Sequence, residues 1–220
     1  KRYMELNLFV YILLIFCIPY LLYSNFRIQP RKGFSILFIF IISSVAILKF
    51  TILSLIGILP IILSLFIGEK QYYKYLYGTS FIILNYQLLI EQDLSFFNLV
   101  LNNIFPISLI SGVFSSMMIG HWFLVDPTIS KQGMKRIALF CTLQSLIMIP
   151  IVFFELIGED IENLFKNVIL FLYLSTSILS FASFKSLGEK SYTGVMASTG
   201  LSYLSLIVSL GASGGLLLLA

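Results

Sequence analysis

The chain has one histidine and one tryptophan, and they are neighbours. His121 and Trp122 sit near the end of the apolar run 104–127 (IFPISLISGVFSSMMIGHWFLVDP), with Asp126 four residues after the tryptophan. Imidazole titrates near neutral pH, so His121 is the best candidate here to hold a proton, a quinone carbonyl or a metal. Met117 and Met118 lie one helical turn earlier and would add soft sulfur, although that pattern also serves plain core packing. The competing reading of His121 and Trp122 is an interfacial anchor, because amphipathic rings gather at headgroup level. Asp126, followed by Pro127, is either a helix stop and cap or a counter-charge for His121 or Arg136. Glu155 is expected in the last turn of a later apolar run, where a carboxylate is costly unless it faces water or a partner. A single histidine excludes a bis-histidine haem within this chain. No cofactor is therefore predicted, and a haem or quinone would need partner subunits. Cys17 and Cys141 fall inside apolar runs without CxxC spacing, so no metal set is predicted and both read as packing residues.

The run that carries His121 also has a small residue at every fourth position: Ser108, Gly112, Ser116 and Gly120. On a helix these form one shallow strip that a second helix can approach closely. The last apolar run repeats the pattern with Ser198 and Ser202, and again with Gly211 and Gly215, which predicts tight packing there too. Asn85, Gln87 and Gln144 are expected to hydrogen-bond between helices, each for about 0.6 kcal/mol.

The elements that position these groups can be read from composition. Of 220 residues, 59% are apolar and 11% charged, against about 25% charged in soluble domains. The expected fold is an all-α, polytopic membrane bundle forming a single transmembrane domain. Its predicted spans are 6–23, 33–48, 51–67, 75–90, 104–124, 137–157, 167–187 and 194–219. The first span reads as a retained helix rather than a signal peptide, because its run is long and no small-x-small cleavage site comes after it. The stretch 33–67 carries one charge, Lys49. As one helix it would be about 52 Å long against a hydrocarbon core of about 30 Å, so a hairpin turning near Lys49 is expected. A single tilted helix there would reduce the count to seven. The segment 94–103 is expected to lie along the interface before the fifth span.

The net charge of +4 resides in short caps between apolar runs, which points to topology and anionic lipid rather than to nucleic acid. Loops after the odd-numbered spans hold ten Lys and Arg, against four on the other side. By the positive-inside rule both termini are expected outside, in a plasma membrane of bacterial type. No Walker loop, GxSxG or HExxH occurs, which argues against an ATP-driven pump, a serine hydrolase or a metalloprotease in this chain. Three function classes remain. The favoured one is a subunit or assembly partner of a larger membrane complex, or a homo-oligomer. The others are a small-solute transporter or channel, and a quinone- or metal-linked redox protein using His121.

Overall fold

The computed structural model describes residues 6–48, 50–67, 69–91, 99–157 and 161–219, and every regular element among them is helical. In order these are α1 (Leu6–Tyr23), α2 (Lys32–Ser43), α3 (Val45–Leu48), α4 (Ile52–Leu63) and α5 (Tyr73–Glu91). They continue with α6 (Phe105–Phe123), α7 (Lys131–Phe153), α8 (Asn163–Ser186) and α9 (Tyr192–Leu219). Wider π-type turns extend α1 through Ile28 and lead into α6 from Leu99. Five helices are long and apolar enough to cross a membrane: 6–28, 99–123, 131–153, 163–186 and 192–219. The other three expected spans differ. Helix α5 has 19 residues, but four tyrosines and Lys74, Asn85, Gln87 and Glu91 dilute its apolar character. Helices α2 and α4 have 12 residues each, about 18 Å of rise, short of a core about 30 Å thick.

The helix α6 is central, packing on α1, α7 and α9, and most of its residues are buried. Helices α6 to α9 form one group, while α1 joins α6 to the α4–α5 pair. Contacts at the ends set the directions. The Tyr11 hydroxyl near the start of α1 donates to the Leu84 carbonyl late in α5, and Asn25 past the end of α1 donates to the Tyr77 hydroxyl early in α5. The two helices therefore run antiparallel. The Ser130 N–H donates to the Ile28 carbonyl, and Lys131 Nζ donates to the carbonyls of Glu189, Lys190 and Ser191. These bonds gather the end of α1, the α6–α7 turn and the α8–α9 turn at one end of the molecule, the basic end. At the other end, Lys166 early in α8 reaches Glu155 just after α7 at 2.6 Å.

Two sequence expectations need correction, and the break expected within 33–67 is present. The stretch 33–67 is not one helix: a turn at Ser44 separates α2 from α3, and Phe50 and Thr51 are non-helical before α4. A single continuous tilted helix is thereby removed for this stretch, while Lys49 itself lies outside the described residues. Residues 99–103 do not lie along the interface but enter α6 directly as its first turns, and residues 94–98 lie outside the described residues. The sixth span is shifted, running 131–153 instead of 137–157. Hydropathy marks where hydrocarbon begins, whereas backbone hydrogen bonding carries the helix on through the polar turn 131–136. The helix stops early because Glu155 takes a left-handed conformation with φ 57°. Leu156 N–H then donates to the Ile151 carbonyl and Glu155 N–H to that of Val152, which is the Schellman closure. Asp93, Glu159 and Asp160, in the acidic loops after α5 and α7, lie outside the described residues, as do Lys1 and Arg2.

Candidate functional site

At the basic end, α6 finishes on His121, Trp122 and Phe123. His121 is exposed, and its imidazole forms no hydrogen bond or ion pair among the described residues. Trp122 packs against α2. Its ring meets Phe34 edge-on at 5.9 Å and leaves only 3.1 Å beside the Gly33 Cα for a Cβ atom. Its indole N–H is buried without a partner among the described residues. That tryptophan therefore wedges the end of α6 against the start of α2.

Asp126 is 1% exposed and binds neither His121 nor Arg136. Its Oδ1 accepts from the Thr128 hydroxyl at 2.5 Å, and its Oδ2 accepts from the Arg31 backbone N–H at 3.3 Å. The Arg31 guanidinium stands 3.6 Å from Oδ2, although that side chain is 75% exposed. The Thr128 hydroxyl bond, ahead of the two backbone N–H bonds and the Arg31 charge, holds the carboxyl below its ordinary range. Of the expected helix stop and cap, the turn is present, since Asp126 accepts from Thr128, but the cap is not: Ser130 is the N-cap of α7. The link from Asp126 to Arg31, 95 residues away, has no signal in the sequence.

Glu155 belongs to no site with His121. It lies just beyond α7 at the opposite end, about 33 Å along that helix from the α6–α7 turn, and it is paired with Lys166 across 2.6 Å. No three His, Cys, Asp or Glu side chains converge as a metal site among the described residues.

The four-residue strip on α6 faces the chain's own helices. Ser108 accepts from Gln144 of α7 at 2.6 Å. A Cβ on Gly112 would lie 2.5 Å from the Tyr20 hydroxyl of α1 and 2.9 Å from Cys141 Sγ of α7. Ser116 reaches Ser202 of α9 at 3.4 Å, and a Cβ on Gly120 would lie 2.6 Å from the Thr199 hydroxyl oxygen. The other expected strip behaves differently. Gly211 is exposed, and Cβ atoms on Gly211 and Gly215 would meet neighbours only at 3.5 and 3.9 Å. Tight packing of α9 falls on its buried serines, the expected Ser198 and Ser202 among them. Of the three amides, Gln87 bonds Tyr11, Ser54 and Thr51 across three helices, and Gln144 bonds α6. Asn85 donates to the Phe81 carbonyl of its own helix and bonds no other helix among the described residues.

The densest polar feature lies between α8 and α9, where the sequence reading placed no site. Ser183 of α8 bonds Ser198 of α9 at 2.7 Å and reaches Ser202 at 3.4 Å; Ser180 bonds Ser205 at 3.0 Å; and Tyr173 bonds Ser213 at 3.1 Å. A small cavity opens among α6, α7, α8 and α9, with two lining residues from each of α6, α7, α8 and α9 and five serines among the eight. Hydroxyl residues are common in apolar runs, but Thr176, Ser177, Ser180 and Ser183 fall at i, i+1, i+4 and i+7, a polar face that could have signalled it. The cavity has no carboxylate, ammonium or guanidinium in its lining, so it suits neutral hydrogen-bonding ligands. Compared with protein families, curated proteins and solved structures, the chain matches none.

Proposed function

We propose that the chain is an embedded subunit of a larger membrane complex, crossing eight times with its basic end in the cytoplasm and both termini outside, in a bacterial-type plasma membrane. The α2–α4 hairpin carries this reading. Its tip is bonded to Gln87, four residues before the end of α5, and α4 ends where Ser64 meets Tyr77, four residues after the start of α5. The hairpin is therefore about one turn, roughly 6 Å, short of α5 at each end. Phe50 at the non-helical tip is 83% exposed, and Ile52, Leu55, Ile56 and Leu59 of α4 face outward. Irregular backbone at membrane depth is tolerated where protein covers it, and short apolar helices resolve their mismatch by associating. The cover is an apolar transmembrane helix from another polypeptide laid along α4.

A photo-crosslinking residue at Leu59, combined with native mass after gentle solubilisation, tests this. Capture of a second membrane polypeptide in a particle well above 25.0 kDa is expected. A lone chain with no cross-link overturns it. The serine-lined cavity favours a second reading, a small-solute transporter, and a lone chain that supports uptake in vesicles would select it.

A further inference from the structure

We infer that the cavity among α6, α7, α8 and α9 is a binding site for one water molecule, which joins two otherwise separate serine groups. Ser116, Ser183 and Ser202 form one group, linked through 3.4 Å contacts on Ser202. Ser180 and Ser205 form the other, closed on itself at 3.0 Å. All five line the same cavity. Residues 202 and 205 are three apart on α9, as are 180 and 183 on α8, so the groups are stacked about 4.5 Å apart along the helices. No direct hydrogen bond joins the two groups among the described residues, and an offset of one helical turn is one that a single bridging oxygen can span.

The cavity has a volume of about 10 Å³. A buried water needs about that much room and two to four polar partners, whereas cavities lined only by apolar groups stay dry. Here five of the eight lining residues are serines, and Val113, Ala138 and Cys141 are the others. Ser183 and Ser202 are fully used by their bonds to each other, to Ser198 and to Ser116, whereas Ser116, Ser180 and Ser205 each keep a lone pair for the water, since a hydroxyl accepts twice and donates once. A neutral ligand of one heavy atom fits both the size and the absence of formal charge. The inference stands independently of the subunit reading, because all four helices belong to this chain.

Cys141 provides an internal reporter. Its thiol lines the cavity, whereas Cys17 is equally buried but does not. The full-length protein in lipid is transferred to D2O, and the infrared S–H bands are followed, with Cys17→Ala and Cys141→Ala variants assigning each band. Loss of the Cys141 S–H band while that of Cys17 persists is expected, because a cavity water exchanges with solvent and passes deuterium to the thiol. In Ala138→Val, the added methyls occupy the cavity, so the selective loss should disappear and the melting temperature should fall as the serine groups lose their bridge. Retention of both bands, or their loss at one rate, overturns the inference. So does a rise in melting temperature for Ala138→Val, the response of a dry cavity being filled.

Discussion

Glu155 shows how one backbone angle outweighs a visible contact. Its ion pair with Lys166 is short, but Glu155 is about half exposed, and such pairs are worth about 0–1 kcal/mol. Its left-handed φ of 57° costs a residue with a Cβ about 1–2 kcal/mol. Glycine at this position removes the strain and alanine does not. Glu155→Gly should therefore exceed Glu155→Ala in stability by about 1 kcal/mol, read from thermal unfolding in detergent. Asp126 gives a pH-dependent counterpart. Its folded carboxyl titrates below the unfolded value, so the stability it supplies is present above the unfolded pKa and is lost as pH falls through the folded one. Acid below about pH 4 should loosen the junction between Arg31 and the α6–α7 turn. In Asp126→Asn, that acid-dependent step should be missing from the melting profile. His121, exposed and unbonded among the described residues, should tolerate alanine within about 0.5 kcal/mol.

At the level of elements, the small residues of α6 and α9 are unequal despite their identical spacing. Gly112 and Gly120 have neighbours where a Cβ would go, from α1, α7 and α9. Gly112→Leu and Gly120→Leu should each cost about 1–3 kcal/mol by overpacking and disturb the packing of the bundle far more than His121→Ala. Gly211 has room, so Gly211→Ala should be neutral or gain up to about 1 kcal/mol from helix propensity. Comparative thermal unfolding decides both. A Gly112→Leu protein as stable as the parent would mean that α1 and α7 can separate without penalty.

For the molecule as a whole, charge and hydrogen bonds divide the two ends. Lys131 capping the α8–α9 turn and Arg31 beside Asp126 place the basic loops together. The two native cysteines are buried and should stay silent towards a bulky reagent. Cysteines introduced at the exposed positions Thr128 and Asn163 then report orientation. An impermeant reagent outside intact cells should label position 163 and leave position 128 untouched. The opposite pattern would invert the proposed topology.

The all-helical membrane class and the location of the five helices able to cross a bilayer were legible in the residues alone, because transfer of apolar side chains into hydrocarbon is a local energy summed along the run. Individual polar roles were partly legible: Gln87 and Gln144 bridge helices, as amides in apolar runs should. Hydropathy could not say which way a helix is rotated or which distant segment it meets. The strip at Ser108, Gly112, Ser116 and Gly120 was visible as a strip, but only the packing divided it among α1, α7 and α9. The partnership of Asp126 with Arg31, the packing of Trp122 against α2 and the serine-lined cavity depend on several helices meeting at one depth. The interactions that choose those rotations are short-ranged in space and long-ranged in sequence, and so they exist only in the folded bundle.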